Sequence, residues 1–181
     1  MLRRNTSKKK VLTFLENYVN INISKEKERK IKKMRNIYFD MDGTIADLYG
    51  VENWLECLRA ENPAPYRAAA PMLDMEIFST ILEKLQGKGY TIGIISWLAK
   101  NSSEKFNEKI TFEKISWLNK YLPNISWNEI HIVEYGTNKS FFGCGILFDD
   151  EIGNRKNWAV AEYNNLAFDE KDILKILENF L

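Results

Sequence analysis

Cysteine is nearly missing from this chain of 181 residues: Cys57 and Cys144 are the only two. Two thiols cannot make a disulfide framework or a four-thiolate metal site, and both read as small apolar residues rather than nucleophiles. Histidine is scarcer still, with His131 alone, in strand-like text where no functional role is expected of it. No apolar run approaches the roughly 18 residues that a membrane-spanning helix needs, and nothing reads as a secretory h-region. The expectation is a reduced, cytoplasmic compartment and no passage through a membrane. There is no Gly-rich Walker loop and no G-x-G-x-x-G, which disfavours a P-loop kinase and a typical dinucleotide enzyme. Internal repeats and low-complexity tracts are lacking as well. What is present is the composition of an ordinary globule, 45% hydrophobic and 28% charged. The length corresponds to one domain or at most two.

Charge divides the chain. Residues 1–34 carry 11 Lys and Arg against 3 acids, whereas residues 35–181 carry 15 against 22, so a leader of +8 precedes a body of −7. The leader holds Lys8-Lys9-Lys10 and a second basic run from Lys25 to Lys30. Between them Val11, Leu12, Phe14, Leu15, Tyr18 and Val19 have the spacing of a short amphipathic helix. As a functional element it would be a weak electrostatic contact for nucleic acid or an anionic membrane. As a bland one it is a solvated extension, or lies upstream of a start at Met34.

In the body, apolar runs alternate with helical text. Asn36 to Asp40, Tyr90 to Ile95, Glu129 to Val133 and Gly145 to Phe148 read as buried strands. Leu73 to Gln86, Ser102 to Leu122 (with a break expected near Thr111) and Asp169 to Leu181 read as helices. Near-continuous apolar strands alternating with helices predict a Rossmann-like parallel sheet with helices on both faces. Ligands of such sheets sit outside the carboxyl ends of the strands. Asp40, Ser96 and Asp149 all fall at those ends.

Asp40-Met41-Asp42-Gly43-Thr44 puts two carboxylates two residues apart just past a strand, on one side of extended backbone. Gly43 permits a sharp turn that could present N–H groups to an anion. Close carboxylates repel, and a divalent cation with hard oxygen ligands is the natural remedy. Asp149-Asp150 can complete such a site, and magnesium suits it because it takes a few carboxylates, water and a phosphate oxygen. The Ser96 hydroxyl and the Lys139 ammonium would face the same crevice, where they suit the spread charge of a phosphoryl group.

As a set, D-x-D-G-T at 40–44, Ile94-Ile95-Ser96, Lys139 in Thr-Asn-Lys-Ser and Phe148-Asp149-Asp150 resemble the haloacid dehalogenase-like superfamily over residues 35–181. The resemblance implies that Asp40 is a nucleophile forming an aspartyl-phosphate. Asp42 would protonate the leaving group and then activate water. It further implies magnesium held by Asp40, the backbone carbonyl of Asp42 and Asp149, with Asp150 supporting. Phosphate would be bound by Ser96 and Lys139, together with Gly43 and Thr44. Residues 1–34 would then be an extension and residues 35–181 the phosphatase domain, with a small helical cap at about 48–70.

Phe39 to Asp47, and the short step from Lys139 to Asp149, are similar to the 5'(3')-deoxyribonucleotidases. Ser96 stands where those enzymes carry threonine, and Glu151 where they carry arginine. Within the cap, Val51, Trp54, Leu55 and Leu58 have helical spacing. Trp54, Tyr66 and Trp97 could stack on a base, although Trp54 also suits the helix's own core face. Arg155, with Trp158 three residues on, is expected either to add a pocket wall or to pack on the sheet edge. The expected activity is a magnesium-dependent phosphomonoesterase for a small phosphorylated metabolite, plausibly a nucleoside 5'-monophosphate. The alternatives are a phosphatase for polynucleotide ends and a catalytically silent binding module of the same fold.

Overall fold

The apolar runs at the centre of the chain become a parallel sheet. The computed structural model describes residues 35–161 and 165–181, so the basic leader and its expected amphipathic helix lie outside the described residues. In chain order the elements are β1 (Asn36–Phe39), β2 (Ala46–Asp47), α1 (Trp54–Arg59), α2 (Ala64–Ala68), β3 (Ala70–Pro71) and α3 (Met75–Gly87). Then come β4 (Thr91–Trp97), α4 (Glu104–Tyr121), β5 (Glu129–Val133), a 3-10 turn (Lys139–Phe141), β6 (Ile146–Phe148), α5 (Ile152–Ala161), β7 (Leu166–Phe168) and α6 (Ile173–Glu178). Five strands form one sheet in the order β5-β4-β1-β6-β7, every neighbouring pair parallel. The architecture is Rossmann-like α/β.

Strand alternation sorts the core into two layers. Ile37 and Phe39, Ile92 and Ile94, and Ile146 and Phe148 point to one face, where they pack on Phe78, Ile81, Leu82 and Leu85 of α3, Trp117 and Leu118 of α4, and Ile173 and Leu177 of α6. Tyr38, Ile95 and Leu147 point to the other face and meet Trp158 of α5. Gly93 has no side chain to block that second face. The Tyr38 ring therefore passes over it, and its hydroxyl donates to Glu129 Oε2 on β5 at 2.9 Å.

The helices start where local chemistry permits. Asp74 caps α3 by accepting from the Glu76 and Ile77 N–H groups, and Ser103 caps α4 by accepting from Phe106. The break expected near Thr111 does not occur. The Thr111 hydroxyl donates to the Asn107 carbonyl at 2.9 Å, and the residue stays inside one continuous helix. The C-terminal helix is shorter than its text suggests: a bend and turn occupy residues 170–172, and the helix ends at Glu178.

The segment between β2 and β3 interrupts the strand–helix alternation. Ala46 pairs with Pro71 and Asp47 with Ala70, antiparallel, so the segment leaves and re-enters the body through a two-stranded ribbon. Instead of one amphipathic helix it holds two short ones. Val51 precedes α1 and packs on the main core. Leu48 and Tyr66 of the insert form their own cluster with Phe106 and Ile110 of α4, flanked by Trp54 and Leu58.

Candidate functional site

The strand order reverses at β1, which has β4 on one side and β6 on the other, and this is where open parallel sheets form a crevice. Asp40 follows β1 directly, and its N–H continues the pairing to the Phe148 carbonyl at 2.9 Å. Asp149 follows β6, while Ser96 is the penultimate residue of β4. Three side chains that are far apart in sequence thus meet at one edge of the sheet.

Two buried lysines organise them. Lys139, 1% exposed, reaches Asp149 Oδ2 at 2.6 Å and Asp40 Oδ2 at 3.0 Å, with its ammonium 5.2 Å from the centre of the Trp97 ring. Burial alone would lower its pKa. The carboxylates of Asp40 and Asp149 outweigh that and hold it above the ordinary lysine value. Lys114 of α4 donates to Asp42 Oδ2 at 2.7 Å, Ser96 Oγ at 2.8 Å and the Trp97 carbonyl at 2.8 Å. Nothing in the sequence singles it out. It sits in mid-helix, eighteen residues beyond Ser96, in a stretch where lysine reads as solvated.

The acids divide into two groups. Asp40, Asp149 and Asp150 each offer one carboxylate oxygen, and these oxygens lie within 4.8 Å of one another. Burial and then the Asp40 charge push Asp149 up to about 6, despite Lys139. Burial, Asp40 and Asp149 push Asp150 up to about 7. Such mutual repulsion among hard oxygen donors is the chemistry that magnesium satisfies, so the residues fit that ion. Asp42 is apart from this trio. Its carboxylate turns to Lys114, and burial raises its pKa more than the lysine lowers it.

Other expected residues take different places. The Gly43 N–H donates to the Ala46 carbonyl at 2.9 Å and that of Thr44 to the Met41 carbonyl at 3.1 Å. Closing the tight turn uses both amides, so neither is presented to an anion as the sequence reading expects. The Thr44 hydroxyl instead pairs with Asp150, accepting from its N–H at 3.1 Å. Arg155 is no pocket wall. It donates to the carbonyls of Asp149 and Asp150 at 2.6 and 2.7 Å and so braces the backbone of the acid pair. Asn154 completes that brace with contacts of 3.1 Å to both Asp149 carboxylate oxygens. Trp158 is fully buried on the second sheet face, its Nε1 donating to the Gly145 carbonyl.

Asp40 and Asp42 line a cavity of about 720 Å3. Its walls include Tyr49, Trp54, Leu55 and Tyr66 from the insert, and Trp97, Lys100 and Tyr135 from the loops after β4 and β5. Of the expected aromatics, Trp54, Tyr66 and Trp97 are all there; Tyr49 and Tyr135 were not foreseen. Trp97 and Tyr135 lie with ring centres 5.0 Å apart, as do Tyr49 and Trp54. Neither a protein-family model nor a curated protein matches the chain.

Proposed function

We propose that the protein is a magnesium-dependent phosphomonoesterase whose substrate is a small phosphorylated metabolite, with a nucleoside 5'-monophosphate favoured. One observation carries the reading. Among the described residues, at the carboxyl ends of three neighbouring strands, four carboxylates (Asp40, Asp42, Asp149 and Asp150) face two ammonium groups, Lys114 and Lys139. A dication would balance that charge, and a phosphoryl group would bring its own oxygens to it. Asp40, Asp149 and Asp150 would hold the magnesium, which when bound supplies positive charge against the phosphoryl oxygens.

The chain's own groups divide the remaining work. An Asp40 carboxylate oxygen attacks phosphorus, forming an O–P bond as the bond to the leaving oxygen breaks. Asp42, kept closer to its protonated form by burial, gives its proton to that leaving oxygen. Water then attacks the phosphorus and returns a proton to Asp42, and Asp40 leaves as a carboxylate. The net change is one ester and one water to one alcohol and one inorganic phosphate. Ser96 holds a phosphoryl oxygen, and Lys139 holds the Asp40 carboxylate in place through their 3.0 Å ion pair.

The cavity lies within the roughly 300–1,000 Å3 that small-molecule sites occupy. Its aromatic walls suit a flat base, which stacking binds without reading its edges. The test is phosphate release from a panel of nucleoside monophosphates and sugar phosphates, with magnesium and with chelator. Turnover that needs magnesium and falls to background in Asp40→Asn is expected. A folded wild-type protein that hydrolyses no phosphomonoester overturns the reading.

A further inference from the structure

Most of the inward-facing stripe of α4 is apolar: Phe106, Ile110, Trp117 and Leu118 are all buried. Lys114 shares that stripe and is 1% exposed. An apolar side chain there would avoid the desolvation of an ammonium, and packing alone gives no reason for a lysine. We propose that Lys114 is a positioning residue, which orients Asp42 for leaving-group protonation and turns the Ser96 hydroxyl toward the phosphoryl group. The inference rests on the phosphomonoesterase reading above.

The hydrogen-bond directions carry the argument. An ammonium has three N–H donors and no acceptor. The three contacts of Lys114, at 2.7, 2.8 and 2.8 Å, use all of them, so the group has no donor left for substrate and acts only through its neighbours. Ser96 Oγ can only accept in this bond. Its own hydrogen is thereby released to donate elsewhere, in the reading above to a phosphoryl oxygen. At Asp42 the lysine occupies Oδ2 alone, which leaves Oδ1 for the leaving group. The bond to the Trp97 carbonyl anchors the ammonium to the end of β4. On its remaining side lies the ring of Tyr66, with its centre 5.3 Å from Nζ, so the insert helps to hold the lysine in place.

The experiment compares kcat/KM for an alkyl phosphate and for p-nitrophenyl phosphate in the full-length protein with magnesium. The first leaving group needs a proton and the second does not. Lys114→Met is expected to lose about 100-fold on the alkyl ester, the scale of general acid catalysis. On the aryl ester it should lose no more than about tenfold, the scale of one charge-assisted hydrogen bond. Lys114→Arg keeps the charge but not the three-way geometry, and it should fail to restore the alkyl rate. Equal losses on the two esters, or no loss, overturn the inference. Should Lys114→Met not fold, the double variant with Asp42→Asn removes both charges and is compared with Asp42→Asn alone. A further loss on the alkyl ester of no more than about tenfold supports the inference, and a larger one overturns it. Wild-type inactivity on both esters is a separate result, which removes the underlying reading and this inference with it.

Discussion

Lys139 is the residue that makes the acidic cluster tolerable. It is fully buried between Asp40 and Asp149, and Asp150 adds a third carboxylate to the same cluster. Lys139→Met should destabilise the metal-free protein by about 3–5 kcal/mol, because it leaves buried carboxylates without their counter-charge. Urea unfolding with and without magnesium checks this, and the ion should recover part of the loss. Gly93 makes a second residue-scale case. A Cβ there would lie 2.7 Å from the Tyr38 ring. Gly93→Ala should cost about 1–3 kcal/mol by overpacking, and Gly93→Ala with Tyr38→Leu should regain much of it, both read from unfolding midpoints. At this scale the site was legible where a side chain ends a strand: Asp40, Ser96 and Asp149 all stand there. Lys114 was not, since its three acceptors come from two distant segments and helical text carries no trace of them. Gly43 and Thr44 were read for the right turn but the wrong use of their amides. For Arg155 the text leaves a pocket wall and the sheet edge open, and the structure places it on the backbone carbonyls of Asp149 and Asp150.

Elements differ in how firmly they are tied down. Helices α1 and α2 have six and five residues, too short to be stable alone. They are held by their small shared core and by two polar contacts with α4. Arg67 grips Glu113 through both guanidinium branches. Glu61, in a left-handed turn between α1 and α2, accepts from the Ser103 N–H at 2.9 Å and its hydroxyl at 2.8 Å. Those two bonds lower the Glu61 pKa. A depressed carboxylate contributes above its unfolded value and is lost as pH falls through the folded one, so this tie weakens only in acid below the usual glutamate range. Glu61→Ala should therefore speed amide hydrogen exchange in residues 54–68 at neutral pH while leaving β1 and β4 unchanged. Equal acceleration in both places would refute a local tie. Long apolar strands and capped helices were readable in advance because each announces its own period. β2, β3 and β7, of two or three residues each, have no period to read, and α5 carries Gly153 and bunches its apolar residues at its two ends. Their positions come from tertiary pairing.

Across the whole molecule, the strand order decides what charge must do. Folding gathers Asp40, Asp149 and Asp150 at the point where the sheet reverses, and without an ion they resist being charged together. Asp149 and Asp150 move from 3.8 up to about 6 and about 7. The folded chain thus keeps these protons longer than the unfolded one, so metal-free stability should fall as pH rises across that interval. Magnesium needs the deprotonated groups, and the stabilisation it confers should grow over the same range. Melting curves at pH 5 and pH 8, each with chelator and with magnesium, test both slopes at once. Among the described residues no helix is long and apolar enough to cross a membrane. The ribbon of β2 and β3 has a consequence of another kind. Residues 48–69 depart and return through partners that are already paired, so their two ends are neighbours before any of the intervening chain is specified. A graft at that junction could exchange Tyr49 and Trp54 for other walls, provided that it keeps Tyr66, whose ring lies against Lys114. The chain crosses between insert and body at a seam two residues wide, so the insert can be replaced as one cassette without moving the ends of β1, β4 and β6 apart.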